Sequence, residues 1–348
     1  MLSLLTDGEE RNGHMNSFER YMRMVKGQQP DIVPRVPIVM QFAAEYIGSH
    51  YGALASDYNV LVEANRRCVE DFGFDQLSAI SDPYRETQGF GGTVTYVTDG
   101  VPRCTNPLAS SRDISLLATP DPLTSTRMLD RINAIRAYQK SFQGEFSIMG
   151  WVEGPAAEAA DLRGVTNFLM DTIDDPDFLD RLMDRCLEVA VDFALAQLHA
   201  GADTIGIGDA IASQLSPDFY ETHIQPREKT LVKAIQKDGG LVRLHICGNI
   251  THLLPGIADL RVDILDVDHM VEMARVRKMV GNGVALSGNI DPVGGVLNGT
   301  PGGIREQMKK TYETVGNPYM VNAGCEIPSR TPNENLKALC ESIRYQSI

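Results

Sequence analysis

No apolar run in this sequence reaches the roughly 18 residues that a membrane-spanning helix requires, so no transmembrane helix is expected. The opening stretch, MLSLLTDGEERNG, is too short and too acidic for a signal peptide, which predicts a cytoplasmic protein. Basic charge is scarce as well: 32 Lys and Arg stand against 46 Asp and Glu, for a net charge of −14. Such a surface repels nucleic acid and anionic membranes, and neither is expected as a partner. The six cysteines, at 68, 104, 186, 247, 325 and 340, show no CxxC pairing and no small-scaffold spacing, so they read as reduced thiols. Cys68 and Cys186 fall in helical patterns and read as core residues. Internal repeats, low-complexity runs and composition breaks of the kind that mark a linker are also missing. One domain over 15–348 is therefore expected, preceded by a flexible polar segment at 1–14.

What the sequence does contain is a regular alternation of strand-like and helix-like stretches. Strand patterns occur at 33–40, 76–81, 146–151, 203–207, 242–247, 262–268, 284–288 and 319–322, separated by helical periodicity such as that over 57–71, 126–141, 176–200 and 217–237. Strands alternating with helices in one pass predict a (β/α)8 barrel of the TIM type. Residues 86–125 are rich in glycine and threonine, with two-residue alternation near 93–97, and read as a hairpin-like insertion on the barrel rim.

In such barrels the chemistry lies where strands end. The polar residues at those ends include Asp82, Glu86, Glu153, Asp209, His245, Cys247, Asp266, Asp268, Cys325 and Glu326. Asp82, Glu86, Glu153 and Asp209 are the candidate catalytic acids, although carboxylates at strand ends also cap the helices that follow. His245 and Cys247 are two residues apart on one strand and share a face. Cys325 comes just past the last strand. An imidazole and two thiols form a borderline-soft donor set suited to zinc, and three protein ligands leave a fourth position open. Asp268, at the end of the next strand, is the candidate for that position, with Asp266 and Glu326 as alternatives. One imidazole and two thiolates bring zinc near electrical neutrality, so a thiol in the open position loses its proton yet stays nucleophilic. That favours alkyl transfer to sulfur over hydrolysis.

The motifs around these residues, Gly208-Asp209-Ala210, Leu215-Ser216-Pro217, Gly288-Asn289-Ile290-Asp291-Pro292 and Ala323-Gly324-Cys325-Glu326-Ile327-Pro328, resemble the uroporphyrinogen decarboxylase superfamily from about residue 17 to 343. Within it the resemblance is nearer to the zinc-dependent corrinoid methyltransferases of the methylcobalamin:coenzyme M type. The resemblance implies a methyl group moved between a corrinoid and a small thiol or similar acceptor. No histidine here has Asp two before it and Gly three after it, so the D-x-H-x-x-G signature of a corrinoid module is absent and the corrinoid is expected on a partner protein. The alternative is a metal-free decarboxylase of porphyrin biosynthesis, whose catalytic aspartate Asp82 resembles. Its arginine-rich loop corresponds here to 39–46, which holds no arginine.

Overall fold

Two prolines shape how the barrel closes. A computed structural model describes residues 15–347, and the expected flexible segment 1–14 lies outside them. Seven parallel strands form one sheet: β1 (Gln76–Ser78), β4 (Ser147–Glu153), β5 (Thr204–Gly208), β6 (Leu241–His245), β7 (Ile264–Asp266), β8 (Ala285–Ser287) and β9 (Tyr319–Met320). β2 (Val94–Thr95) and β3 (Arg103–Cys104) form a separate antiparallel pair. The strand expected at 33–40 is not a regular strand. Pro34 and Pro37 have no N–H to donate, so the ladder there shrinks to isolated bridges. The segment still fills the eighth place in the barrel wall. Val36 N donates to the Val321 carbonyl, Val321 N to the Pro34 carbonyl, and on the other side Asp75 N to the Arg35 carbonyl, each at 2.8 Å.

The helices pack outside and follow their sequence signals. The helix Pro176–Ala200 begins at Asp175, whose side chain accepts from Phe178 N, and stops at Gly201 in the left-handed region (φ 115°). Its apolar stripe buries Leu182, Cys186, Val189 and Phe193 against the sheet. The helix expected over 217–237 is interrupted. Pro217–Phe219 passes through a wide π turn, Tyr220–Ile224, before Gln225–Lys237, because Pro226 cannot close the normal helical bond. The insertion at 86–125 starts as a short helix, Arg85–Gly89, so Glu86 sits on that helix, and the hairpin proper is only the Val94↔Cys104 and Thr95↔Arg103 pairs. No helix among the described residues is long and apolar enough to cross a membrane.

The barrel interior carries a polar layer directly beneath the strand ends. Arg243 on β6 is 1% exposed and reaches across the barrel, donating to Gln76 Oε1 (2.9 Å), the Val36 carbonyl (3.2 Å) and Asp266 (3.0 Å). Asn322 donates to Asp266 (2.9 Å) and accepts from Ile38 N (3.2 Å), which ties the proline-interrupted segment to β7.

Candidate metal centre and its cavity

Period-two geometry on β6 turns Arg243 and His245 into the barrel, and Cys247 follows just past the strand end. Gly248 then turns the chain with φ +92°, a conformation only glycine adopts cheaply. Cys325 arrives from the other side, beyond β9. Gly324 has no room for a side chain against the backbone of His269, so the Cys325 loop packs closely on the loop that follows β7. Among the described residues, one group of His, Cys and acidic side chains brings three donor atoms within 4.8 Å of one another: His245, Cys247 and Cys325. His245 Nε2 lies 3.0 Å from Cys247 Sγ and 3.6 Å from Cys325 Sγ, and the two sulfurs are 3.7 Å apart. Tetrahedral zinc with ordinary bond lengths separates two sulfurs by about 3.8 Å and N from S by about 3.5 Å. The donor set fits zinc.

The remaining nitrogen of His245, Nδ1, lies 3.2 Å from Asp266. A carboxylate behind a histidine orients the ring and leaves its other nitrogen free to ligate. Burial alone would raise the Asp266 carboxyl, but Arg243, His245 and Asn322 outweigh it and hold the group well below the usual range. The thiols split one proton. The hydrogen bond between the two sulfurs pushes Cys247 up and brings Cys325 down to about 4. Burial lowers His245, yet the neighbouring Cys247 and Asp266 raise it well above its ordinary value.

Asp268 lies outside the three-donor group. Its carboxylate accepts from Gly248 N and Met270 N, each at 2.9 Å, so it braces the turn next to Cys247 through the backbone. Above the sulfurs is a cavity of about 140 Å³, lined by Ile38, Met40, Ile80, Trp151, Glu153 and Glu326 among others. Trp151, the chain's one tryptophan, lies flat over Gly206 and Gly208, where a side chain would collide with the indole.

Of the four candidate acids, Glu153 lines this cavity and the other three are committed behind it. Asp82 is 1% exposed and paired in a fork with Arg127 (2.7 Å to Nη1). Glu86 accepts from Glu153 N (3.0 Å). Asp209 caps the helix Pro155–Arg163, accepting from Ala157 N (2.7 Å) and Ala156 N (3.4 Å), rather than the turn that follows it in sequence. Arg85, fully buried, donates to Glu153 Oε1 at 2.6 Å. Burial, with Glu86 and Asp161 nearby, raises Glu153 to about 8 despite Arg85. Sequence reasoning passed over Arg85, Arg243 and Trp151. Arg243 shares the face of His245 and was the one visible signal.

Several buried acids share this upward shift: Glu153 at about 8, Glu228 at about 7 and Asp203 at about 6, each through burial first. Unfolded, these groups lose their protons near pH 4. Between roughly pH 5 and 8 the native state therefore holds more protons than the unfolded chain, and stability must fall as pH rises. Among the metal ligands, the raised His245 acts in the same sense and the lowered Cys325 in the opposite one. The urea midpoint should be higher at pH 6 than at pH 8. A midpoint that climbs over that interval would contradict these shifts.

The uroporphyrinogen decarboxylase (URO-D) family profile matches residues 16–345. The chain belongs to the uroporphyrinogen decarboxylase family. Among relatives in that family, it is 27% identical over 335 residues to the methylcobamide:CoM methyltransferase MtaA of Methanosarcina barkeri, covering 93% of this chain and 97% of that one. It is also 25% identical over 333 residues to a uroporphyrinogen decarboxylase of Trichodesmium erythraeum, covering 90% and 93%. A solved methyltransferase from Methanosarcina mazei superposes with a TM-score of 0.85 at 25% identity, covering 93% of this chain and 97% of the other. The barrel is that of the family, and its relatives include corrinoid methyltransferases.

Proposed function

We propose that the protein moves a methyl group from a corrinoid carried on a separate protein to a small thiol, with zinc held by His245, Cys247 and Cys325. The observation that carries this reading is the three-donor group at the floor of a strand-end cavity. When bound, zinc supplies a Lewis acid that lowers the pKa of the acceptor thiol. The chain's own residues do the rest. Asp266, braced by Arg243 and Asn322, keeps His245 turned toward the two sulfurs. The apolar wall of Ile38, Met40, Ile80 and Trp151 excludes water from the sulfur. Glu326, raised to about 7 by burial, lies on the same wall beside Cys325 and takes the thiol proton. Glu153 receives the acceptor's polar end. In the transfer the sulfur–carbon bond forms, the cobalt–carbon bond breaks, and its electron pair stays with the corrinoid. Asp82, Glu86 and Asp209 hold the surrounding loops.

The decarboxylase alternative is less well supported by the cavity. Asp82 is sealed by Arg127, and a polycarboxylate tetrapyrrole needs both space and cations that the cavity lining lacks. The deciding assay mixes zinc-loaded protein with methylcob(III)alamin and thiols and follows the appearance of cob(I)alamin. Demethylation that needs both metal and thiol is expected. No spectral change, together with carbon dioxide release from uroporphyrinogen, would transfer the case to the decarboxylase.

A further inference from the structure

The charge of the cavity wall restricts which thiol can enter. Among the described residues, the ionisable side chains on the wall beyond the metal-ligand residues are Glu153 and Glu326, and no lysine or arginine lines it. The guanidiniums of Arg85 and Arg127 lie behind the wall and are engaged with protein acceptors. Arg85 is wholly buried and spends its donors on Glu153 Oε1 and the Asp82 carbonyl, while Arg127, 3% exposed, is forked to Asp82 and also donates to the Ala55 carbonyl. A thiol with a sulfonate or carboxylate tail would leave its water for an apolar space faced by carboxyl groups, with no counter-ion to meet it. A tail bearing an ammonium finds a partner there. A cavity of about 140 Å³ suits a small thiol.

We infer that the acceptor is a small aminothiol whose ammonium end is received by Glu153, which distinguishes this chain from relatives named for CoM, an anionic thiol. The inference rests on the thiol-transfer reading above. Glu153 keeps one side toward Arg85 and has 10% of its side chain exposed, so a carboxylate edge remains for the ligand. Its high pKa in the empty cavity is consistent with this: an arriving ammonium stabilises the ionised form, whereas an anionic tail keeps it protonated and gains no opposite charge.

Direct binding tests this without any methyl transfer. The protein is loaded with cobalt(II) in place of zinc and titrated with cysteamine, 2-mercaptoethanol and 2-mercaptoethanesulfonate, following the thiolate-to-cobalt charge-transfer band. Cysteamine should bind at least about tenfold more tightly than the sulfonate, the size of one hydrogen bond to a charged group, with 2-mercaptoethanol between them. In Glu153→Gln the ratio of the cysteamine Kd to the 2-mercaptoethanol Kd, below one in wild type, should rise to near one. Wild-type protein that binds the sulfonate as tightly as cysteamine overturns the acceptor class alone and leaves thiol transfer standing. A cobalt spectrum that no thiol perturbs overturns both. The wild-type ranking decides the matter even if Glu153→Gln fails to fold.

Discussion

Cys325→Ala protein, purified with zinc present, should carry no more than a trace of metal where wild type carries one zinc per chain. The substitution leaves His245 and Cys247, 3.0 Å apart, as the protein donors. Zinc centres in enzymes keep three protein ligands, and two leave the ion largely to solvent. Altering an outer partner such as Asp266 costs about 10–100-fold in metal affinity, so losing a ligand should cost well over about 100-fold. Asp268 is engaged with two backbone N–H groups and does not replace the lost sulfur. Thermal unfolding gives a second readout. Zinc binding to the native state alone should raise the wild-type Tm with added metal, and the variant's Tm should not respond. Equal, near-zero metal in both proteins would remove the zinc site and the methyl-transfer reading with it.

Arg243→Met should lower stability by about 3–5 kcal/mol, the usual result of stripping one partner from a buried charge pair. Methionine roughly replaces the aliphatic bulk, so the loss comes mainly from charge. Asp266 is 1% exposed and loses its guanidinium partner, and Gln76 and the Val36 carbonyl lose their donor. The damage should reach the metal centre. Without Arg243 the Asp266 carboxyl rises toward protonation, stops orienting His245 Nδ1, and zinc affinity should drop about 10–100-fold. Pairing the change with Asp266→Asn should restore much of the stability, since the uncompensated charge is then gone, but not the zinc affinity. Urea unfolding that moves by less than about 1 kcal/mol in the single variant would mean that the polar layer contributes little.

The strand pattern around His245 was legible because its period of two is unbroken from Val242 to Cys247, and the structure keeps the strand as far as His245. Cys325 was legible for a similar reason, since a strand-like run delivers it past its end. The partners of these residues were not. Asp266 could be placed on the same face as Asp268, but only the register His245↔Asp266 shows that it backs the imidazole while Asp268 ties down Gly248. Asp209 was readable as a cap, yet it caps a helix that begins 54 residues earlier, at Pro155 (209 minus 155), a contact made by β4 and β5 lying side by side. The run at 33–40 has the composition of a strand, but two missing N–H groups decided its form. Local pattern carries type and face; partner choice depends on register between strands distant in sequence.

The proline-bearing segment near the start of the described chain has a consequence for the order of assembly. It lies between β1 and the Val321 backbone that follows β9, so most of its backbone hydrogen-bonding partners are made last during synthesis. Until residue 321 leaves the ribosome, the growing sheet is an open arc with two unpaired edges, a template for pairing with other chains. Pro34 and Pro37 make the waiting segment a poor edge for intermolecular pairing while it lacks its final neighbour. The same prolines that weaken the wall in the finished barrel protect the nascent chain from joining the wrong one.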